Sequence, residues 1–166
     1  WDAGFIDLFK PEVFCPALAP VRDRILGGLP AQVAAAFVAL KYKPVAFNLY
    51  INEGVVNPRE FHIDSEVHHI KAFVYLTDVL ALEDGPYCYV PGSHQERQIK
   101  AVNKLYNAAA GRAWTDMSLV DPALGVACLA PAGTLILSLQ SGLHRGYPQS
   151  HTARRLMLVE LFEPGA

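Results

Sequence analysis

The chain has 166 residues, is 52% hydrophobic and 18% charged, and carries a formal net charge of −2. That length supports one domain with a sizeable core. A mildly acidic balance without a basic block gives no reason to expect nucleic acid, and no run approaches the roughly 20 apolar residues of a membrane-spanning helix. No basic segment precedes an apolar one near the start, so no secretory leader is expected. Trp1 stands where Met would begin a full chain, and a shortened product with missing loops is expected. Cys15, Cys88 and Cys128 are far apart and odd in number. They form neither a disulfide framework nor a CxxC metal site, which suits a reducing, cytoplasmic setting.

Residues 1 to about 30 are broken by Pro11, Pro16, Pro20 and Pro30, so short helical pieces are expected. Leu18, Val21, Ile25 and Leu26 suit one, with Gly27-Gly28 ending it. Val33, Ala36, Phe37 and Leu40 repeat at helical spacing and predict a helix over 31 to 42, stopped by Pro44.

From Pro44 the period changes. Val45 to Asn52 reads as a strand with Asn48 and Tyr50 on one face, and Lys71 to Val79 as a strongly β-biased run. Further strands are predicted at Tyr87–Val90, Val126–Leu129, Thr134–Leu139 and Arg155–Phe162, separated by Gly and Pro. Between them, Ser93 and Glu96 fit a capping box. Ile99, Val102 and Tyr106 then fall on one face of a helix running to about Ala109, as packing rather than a partner site. Trp114 is expected to pack inward. No repeat, low-complexity tract or domain boundary interrupts this order. The expectation is a single domain over 1–166: a helical flank over 1–43 and an all-β sandwich or jelly-roll core over 44–163.

The chemistry centres on Phe61-His-Ile-Asp-Ser-Glu-Val-His-His69. In an extended segment His62 and Asp64 point the same way. They make two thirds of a 2-His-1-carboxylate set, the ligands of non-heme Fe(II) oxygenases. The best candidate for the third ligand is His144, which a closing jelly roll can bring to one end of the barrel. Such a site keeps one face open for a bidentate cosubstrate and dioxygen, and its residual positive charge suits an anionic keto acid. The far carboxylate of a keto acid needs a cation. Arg155 opens the last strand, eleven residues after His144, and its planar fork suits that task. Arg154 points to the opposite face.

His62-x-Asp64, the strand Lys71-Ala-Phe-Val-Tyr-Leu-Thr-Asp, the turn Asp84-Gly-Pro, Val90-Pro-Gly-Ser-His94, Gly133-Thr, Ser141-Gly-Leu-His144-Arg-Gly and Arg155 follow in that order. This series resembles the phytanoyl-CoA dioxygenase family of Fe(II)/2-oxoglutarate oxygenases, over residues 44 to 163. The resemblance implies a mainly β fold, a double-stranded β-helix (jelly roll, cupin-like) with N-terminal helices and one inserted helix. It implies Fe(II) held by His62, Asp64 and His144, and 2-oxoglutarate gripped by Arg155. The implied reaction decarboxylates 2-oxoglutarate to succinate and CO2 and attacks a substrate C–H bond, usually by hydroxylation, with ascorbate as the reductant in assays. Members that halogenate replace the carboxylate with a small residue; Asp64 favours hydroxylation. The chain is shorter than the usual domain of the family, and the expected loss lies in the N-terminal region and the loops over the site.

Each residue also has a plainer reading. His62 and Asp64 alone could be a surface pair, because HxD is common by chance; the ordered series makes them ligands. His68 and His69 read as structural residues or pocket walls, His94 as a cap or packing residue, and His151 as solvated. Arg145 reads as a surface residue or one that supports the site from behind. Lys71, Asn48 and Tyr50 are candidate cosubstrate contacts, although a solvated lysine and a core tyrosine are the commoner cases. Cys88 and Cys128 read as small buried apolar residues. Two other functions fit parts of the pattern: a cupin-type metal dioxygenase or isomerase without a keto acid, and a non-catalytic jelly-roll binding protein. The expected partners are a small-molecule substrate and dioxygen. Oligomeric state has no sequence signature here.

Overall fold

The computed structural model describes residues 2–27 and 42–164, with only the backbone of 26 and 27. The helix predicted over 31 to 42 lies outside the described residues, except that Tyr42 already belongs to a strand. In chain order the elements are β1 (Phe5–Phe9), α1 (Pro11–Phe14), α2 (Ala19–Gly27), β2 (Tyr42–Glu53), β3 (Ile70–Tyr75), β4 (Tyr87–Tyr89), α3 (Arg97–Ala110), β5 (Val126–Ala127), β6 (Leu135–Leu139), β7 (His144–Gly146) and β8 (Arg154–Pro164). The fold is mainly β and jelly-roll-like. One sheet has the order β1-β2-β8-β3-β6 and the other β5-β4-β7, with antiparallel neighbours throughout.

The two-residue period of the strands sorts the core into layers. In β3, Phe73 and Tyr75 pack with Met157 and Val159 of β8 against Tyr87 of the smaller sheet. The rings of Phe73 and Tyr87 lie 4.6 Å apart. The alternate residues Ala72 and Leu158 join Phe47, Phe162 and Ile25 of α2 on the outer face of the larger sheet. Each large side chain buried this way contributes about 1.5–3 kcal/mol. A third cluster, with Phe61, Ile63, Cys88, Met117, Val120 and Leu143, fills the space behind the smaller sheet.

Several expectations need correction. The N-terminal segment opens with β1, an edge strand paired to β2 from Phe5↔Asn52 to Phe9↔Asn48, not with a helical piece. Pro44 lies inside β2 at a register shift, the place where a residue without an N–H is tolerated. Ser93 and Glu96 do not form a capping box. Ser93 belongs to a short 3-10 turn, and its hydroxyl accepts instead from the Leu143 N–H at 2.7 Å. Of the predicted stripe on α3 only Ile99 packs inward, against the third cluster; Val102 and Tyr106 are exposed, and the buried positions are the polar Lys100, Asn103 and Asn107. The two asparagines serve backbone groups of the 113–119 loop: Asn103 Oδ1 accepts from the Leu119 N–H, and Asn107 Nδ2 donates to the Ala113 carbonyl. A buried loop needs such partners more than apolar contact. Trp114 is half exposed under the Lys104 ammonium. Among the described residues, no helix is long and apolar enough to cross a membrane.

Candidate metal centre

The segment 61–64 runs extended between two other stretches. His62 and His144 exchange both backbone hydrogen bonds, each 3.0 Å; the Ile63 N–H donates to the Thr115 carbonyl and the Asp64 N–H to the Gln140 carbonyl. Phe61 and Ile63 are buried in the apolar cluster behind the smaller sheet, with Leu143 beside them. The alternation then turns His62, Asp64 and His144 the other way, into one cavity. This cavity has a volume of about 710 Å³.

Both imidazoles are oriented through Nδ1. His62 Nδ1–H donates to the Glu60 carbonyl at 2.8 Å and His144 Nδ1–H to the Gly142 carbonyl at 2.9 Å. A carbonyl only accepts, so each ring carries a proton on Nδ1 and turns Nε2 inward. Each Nε2 lies 3.7 Å from Asp64 Oδ1. One donor atom from each of the three residues falls within 4.8 Å of the others, close to the span of one ion with bonds of about 2 Å. Burial, reinforced by His144 and Arg59, pushes the His62 pKa down to about 3, so the ring is neutral and free to ligate. Two imidazoles and one carboxylate thus fit a divalent transition metal.

Lys71 completes the group from β3. Its Nζ donates to Asp64 Oδ2 at 2.5 Å, which leaves Oδ1 facing the two histidines. Burial raises the Asp64 carboxyl, but His144 and the Lys71 charge outweigh it and hold the group well below the usual carboxylate range. Burial lowers the Lys71 pKa; the Asp64 charge more than offsets this and leaves it raised.

Arg155 lies buried on the same cavity, whereas Arg154 is exposed. Its guanidinium donates to the Gly85 carbonyl and, at 3.1 Å, to Asn52 Oδ1. Burial pushes its pKa down to about 10, so it stays charged. Nη2 is 3.9 Å from where a side chain on Gly146 would begin. Gly146 is two residues beyond His144 on β7, roughly 7 Å along an extended strand.

Tyr50 lines the cavity, edge-on to Phe5, and burial raises its pKa. Asn48 is buried and donates to Asp7 Oδ2 at 3.2 Å; it is not among the residues lining the cavity, though Asp7 is. His68 hydrogen-bonds Ser141 Oγ at 3.1 Å; neither it nor His69, His94 or His151 is among the residues lining the metal cavity. Arg145 lines the cavity over the Phe61 ring. Sequence reasoning missed two further residues that line the cavity, Asp7 and Asn52. Alternation in Phe5-Ile-Asp-Leu-Phe9 between Gly4 and Pro11 was the available signal for Asp7, and extending the Asn48/Tyr50 face by two residues would have found Asn52.

No protein-family model and no curated protein matches this sequence. Solved structures do match in fold. HygX from Streptomyces hygroscopicus, with nickel, 2-oxoglutarate and hygromycin B bound, aligns at TM-score 0.67 and 19% identity over 98% of this chain and 70% of its own. EvdO2 from Micromonospora carbonacea var. aurantiaca aligns at TM-score 0.69 and 21% identity, over 97% and 68%. SnoN, a non-heme alpha-ketoglutarate-dependent epimerase from nogalamycin biosynthesis, aligns at TM-score 0.67 and 16% identity, over 98% and 64%.

Proposed function

We propose that this chain is a non-heme Fe(II)- and 2-oxoglutarate-dependent dioxygenase acting on a small molecule, with hydroxylation as its outcome. The observation that carries the reading is the joint placement of His62, Asp64, His144 and a buried, charged Arg155 on one cavity. HygX supports it, since its structures hold nickel with 2-oxoglutarate and, separately, iron. We further read the two sheets as a double-stranded β-helix of the phytanoyl-CoA dioxygenase type. On this reading residues 1–166 belong to one oxygenase domain, and the three free cysteines suit a cytoplasmic setting.

His62 Nε2, His144 Nε2 and Asp64 Oδ1 would hold the metal. Arg155 would take the far carboxylate of 2-oxoglutarate, with Asn52 steadying the guanidinium and Tyr50 forming a wall. Lys71 holds Asp64 Oδ2, which keeps the carboxylate to one ligating oxygen and frees coordination positions. When bound, Fe(II) supplies the site at which 2-oxoglutarate and dioxygen are brought together, with succinate and CO2 as coproducts. A cupin-type enzyme without a keto acid would leave the charge of Arg155 without a task.

Anaerobic titration of 2-oxoglutarate into the Fe(II)-loaded protein tests this. A weak visible charge-transfer band should appear, vanish in Asp64→Ala and weaken in Arg155→Ala. With ascorbate and dioxygen, succinate should form. Fe(II) binding without the band would reject the keto-acid reading, and the product's mass separates hydroxylation from an epimerisation like that of SnoN.

A further inference from the structure

A second cavity, of about 480 Å³, lies between α3 and the segment that follows Asp64. We propose that it binds a phosphate-type dianion. Arg97, Lys100 and Lys104 stand at helical spacing on one face of α3 and line it together with Glu66, His68 and His94. Three cations thus face one carboxylate, in a chain whose overall charge is negative.

The cations are unevenly compensated. Lys104 pairs with Glu66. Lys100 is only 9% exposed, yet its Nζ donates to a neutral group, the His94 carbonyl at 3.0 Å. Arg97 has no hydrogen-bonding or ionic partner among the described residues. An ammonium taken largely out of water without a directly bonded carboxylate is costly, and an anion from outside would supply such a partner. The same crowding shows at its neighbours. Burial, then His68 and Lys100, hold the His94 pKa down. Burial, with Lys104, lowers that of Lys100 against the pull of Glu66 and Glu96.

Converging point charges around a volume suit an ion with several oxygens and two negative charges better than a single planar carboxylate. The bound ion would also touch the frame of the metal centre. Glu66 and His68 follow Asp64 by two and four residues, and His68 is tied to Ser141, three residues before His144.

Calorimetric and thermal-unfolding titrations of the metal-free protein with inorganic phosphate and pyrophosphate, against chloride at equal ionic strength, test the site. The absence of metal makes the result independent of the oxygenase reading. Saturable binding and a rise in Tm beyond the chloride control are expected. Arg97→Gln combined with Lys104→Gln, both changes toward the outside of α3, should weaken binding about tenfold or more by removing two charges. Phosphate acting no differently from chloride would overturn the proposal, as would a variant that binds like the wild type. Phenyl phosphate distinguishes the source: tighter binding than phosphate identifies the end of a larger phosphate ester, and equal binding a free ion.

Discussion

In the larger cavity the Lys71 ammonium sits 2.5 Å from the Asp64 carboxylate, and both histidines spend Nδ1 on backbone carbonyls. In the smaller one the buried Lys100 leans on a carbonyl, and Arg97 meets no acid among the described residues. Both cavities draw on the same stretch after Phe61, yet their charge is settled differently. Around His62, Asp64 and His144 the protein supplies each partner itself, so the donor atoms are held in place. Beside α3 Lys104 has its acid in Glu66, while Lys100 and Arg97 have no directly bonded carboxylate among the described residues. Internal pairing fixes geometry; a surplus attracts a ligand. The contrast separates a centre built for positioning from one built for capture.

The strongest way to break the contrast is to remove a ligand. His144→Ala or Asp64→Ala should lower Fe(II)-dependent succinate formation by about a thousandfold or more, several kcal/mol of lost stabilisation. Retained turnover in either would reject the triad. Arg155→Ala comes next. Loss of a buried carboxylate clamp should raise the KM for 2-oxoglutarate about a hundredfold, with partial rescue by Arg155→Lys. An unchanged KM would favour a reaction without a keto acid.

Lys71→Met sharpens the comparison by giving the larger cavity an uncompensated charge of its own. Asp64 Oδ2 loses its partner, and Co(II) affinity, followed by the visible spectrum, should fall about tenfold. Equal affinity would mean that Lys71 does not position the carboxylate.

The smallest effect concerns Glu160, buried on β8 with Oε2 unpartnered among the described residues. Burial pushes its pKa up to about 7 from an ordinary 4.5. Between these values the folded state holds a proton that the unfolded chain has released, so stability falls as pH rises through the window and the cost is complete above it. Glu160→Gln should therefore match the wild type near pH 4.5 and exceed it at pH 8, by on the order of 1 kcal/mol. Denaturant curves at the two pH values check this, and a constant offset between the proteins would contradict it.

The strands that alternate strongly were legible in the sequence. β2, β3, β6 and β8 lie where the β-rich runs predicted them, because a half-buried strand writes its period directly into the residues. β7 was not legible, since three residues carry no period, and its place comes from pairing with β4. α3 misled in a different way. Of its apolar stripe Ile99 packs inward but Val102 and Tyr106 face outward, and the asparagines that face inward do so because the 113–119 loop needs hydrogen-bond partners. No local rule contains that loop. The Ser93–Glu96 spacing looked like a cap for the same reason: the competing donor, the Leu143 N–H, lies 50 residues away.

His62 and Asp64 could be paired from sequence alone, because two residues apart on an extended segment is a local fact. His144 and Arg155 could be nominated but not placed. The backbone pairing of His62 with His144 and the closeness of Arg155 to Gly146 join residues 82 and 9 positions apart. Only the closure of one sheet over the other sets such distances. Residue type and local period therefore determined which chemistry was available. Tertiary structure decided which donors share a cavity, that Lys71 turns inward onto Asp64, and that the cations of α3 line a hollow.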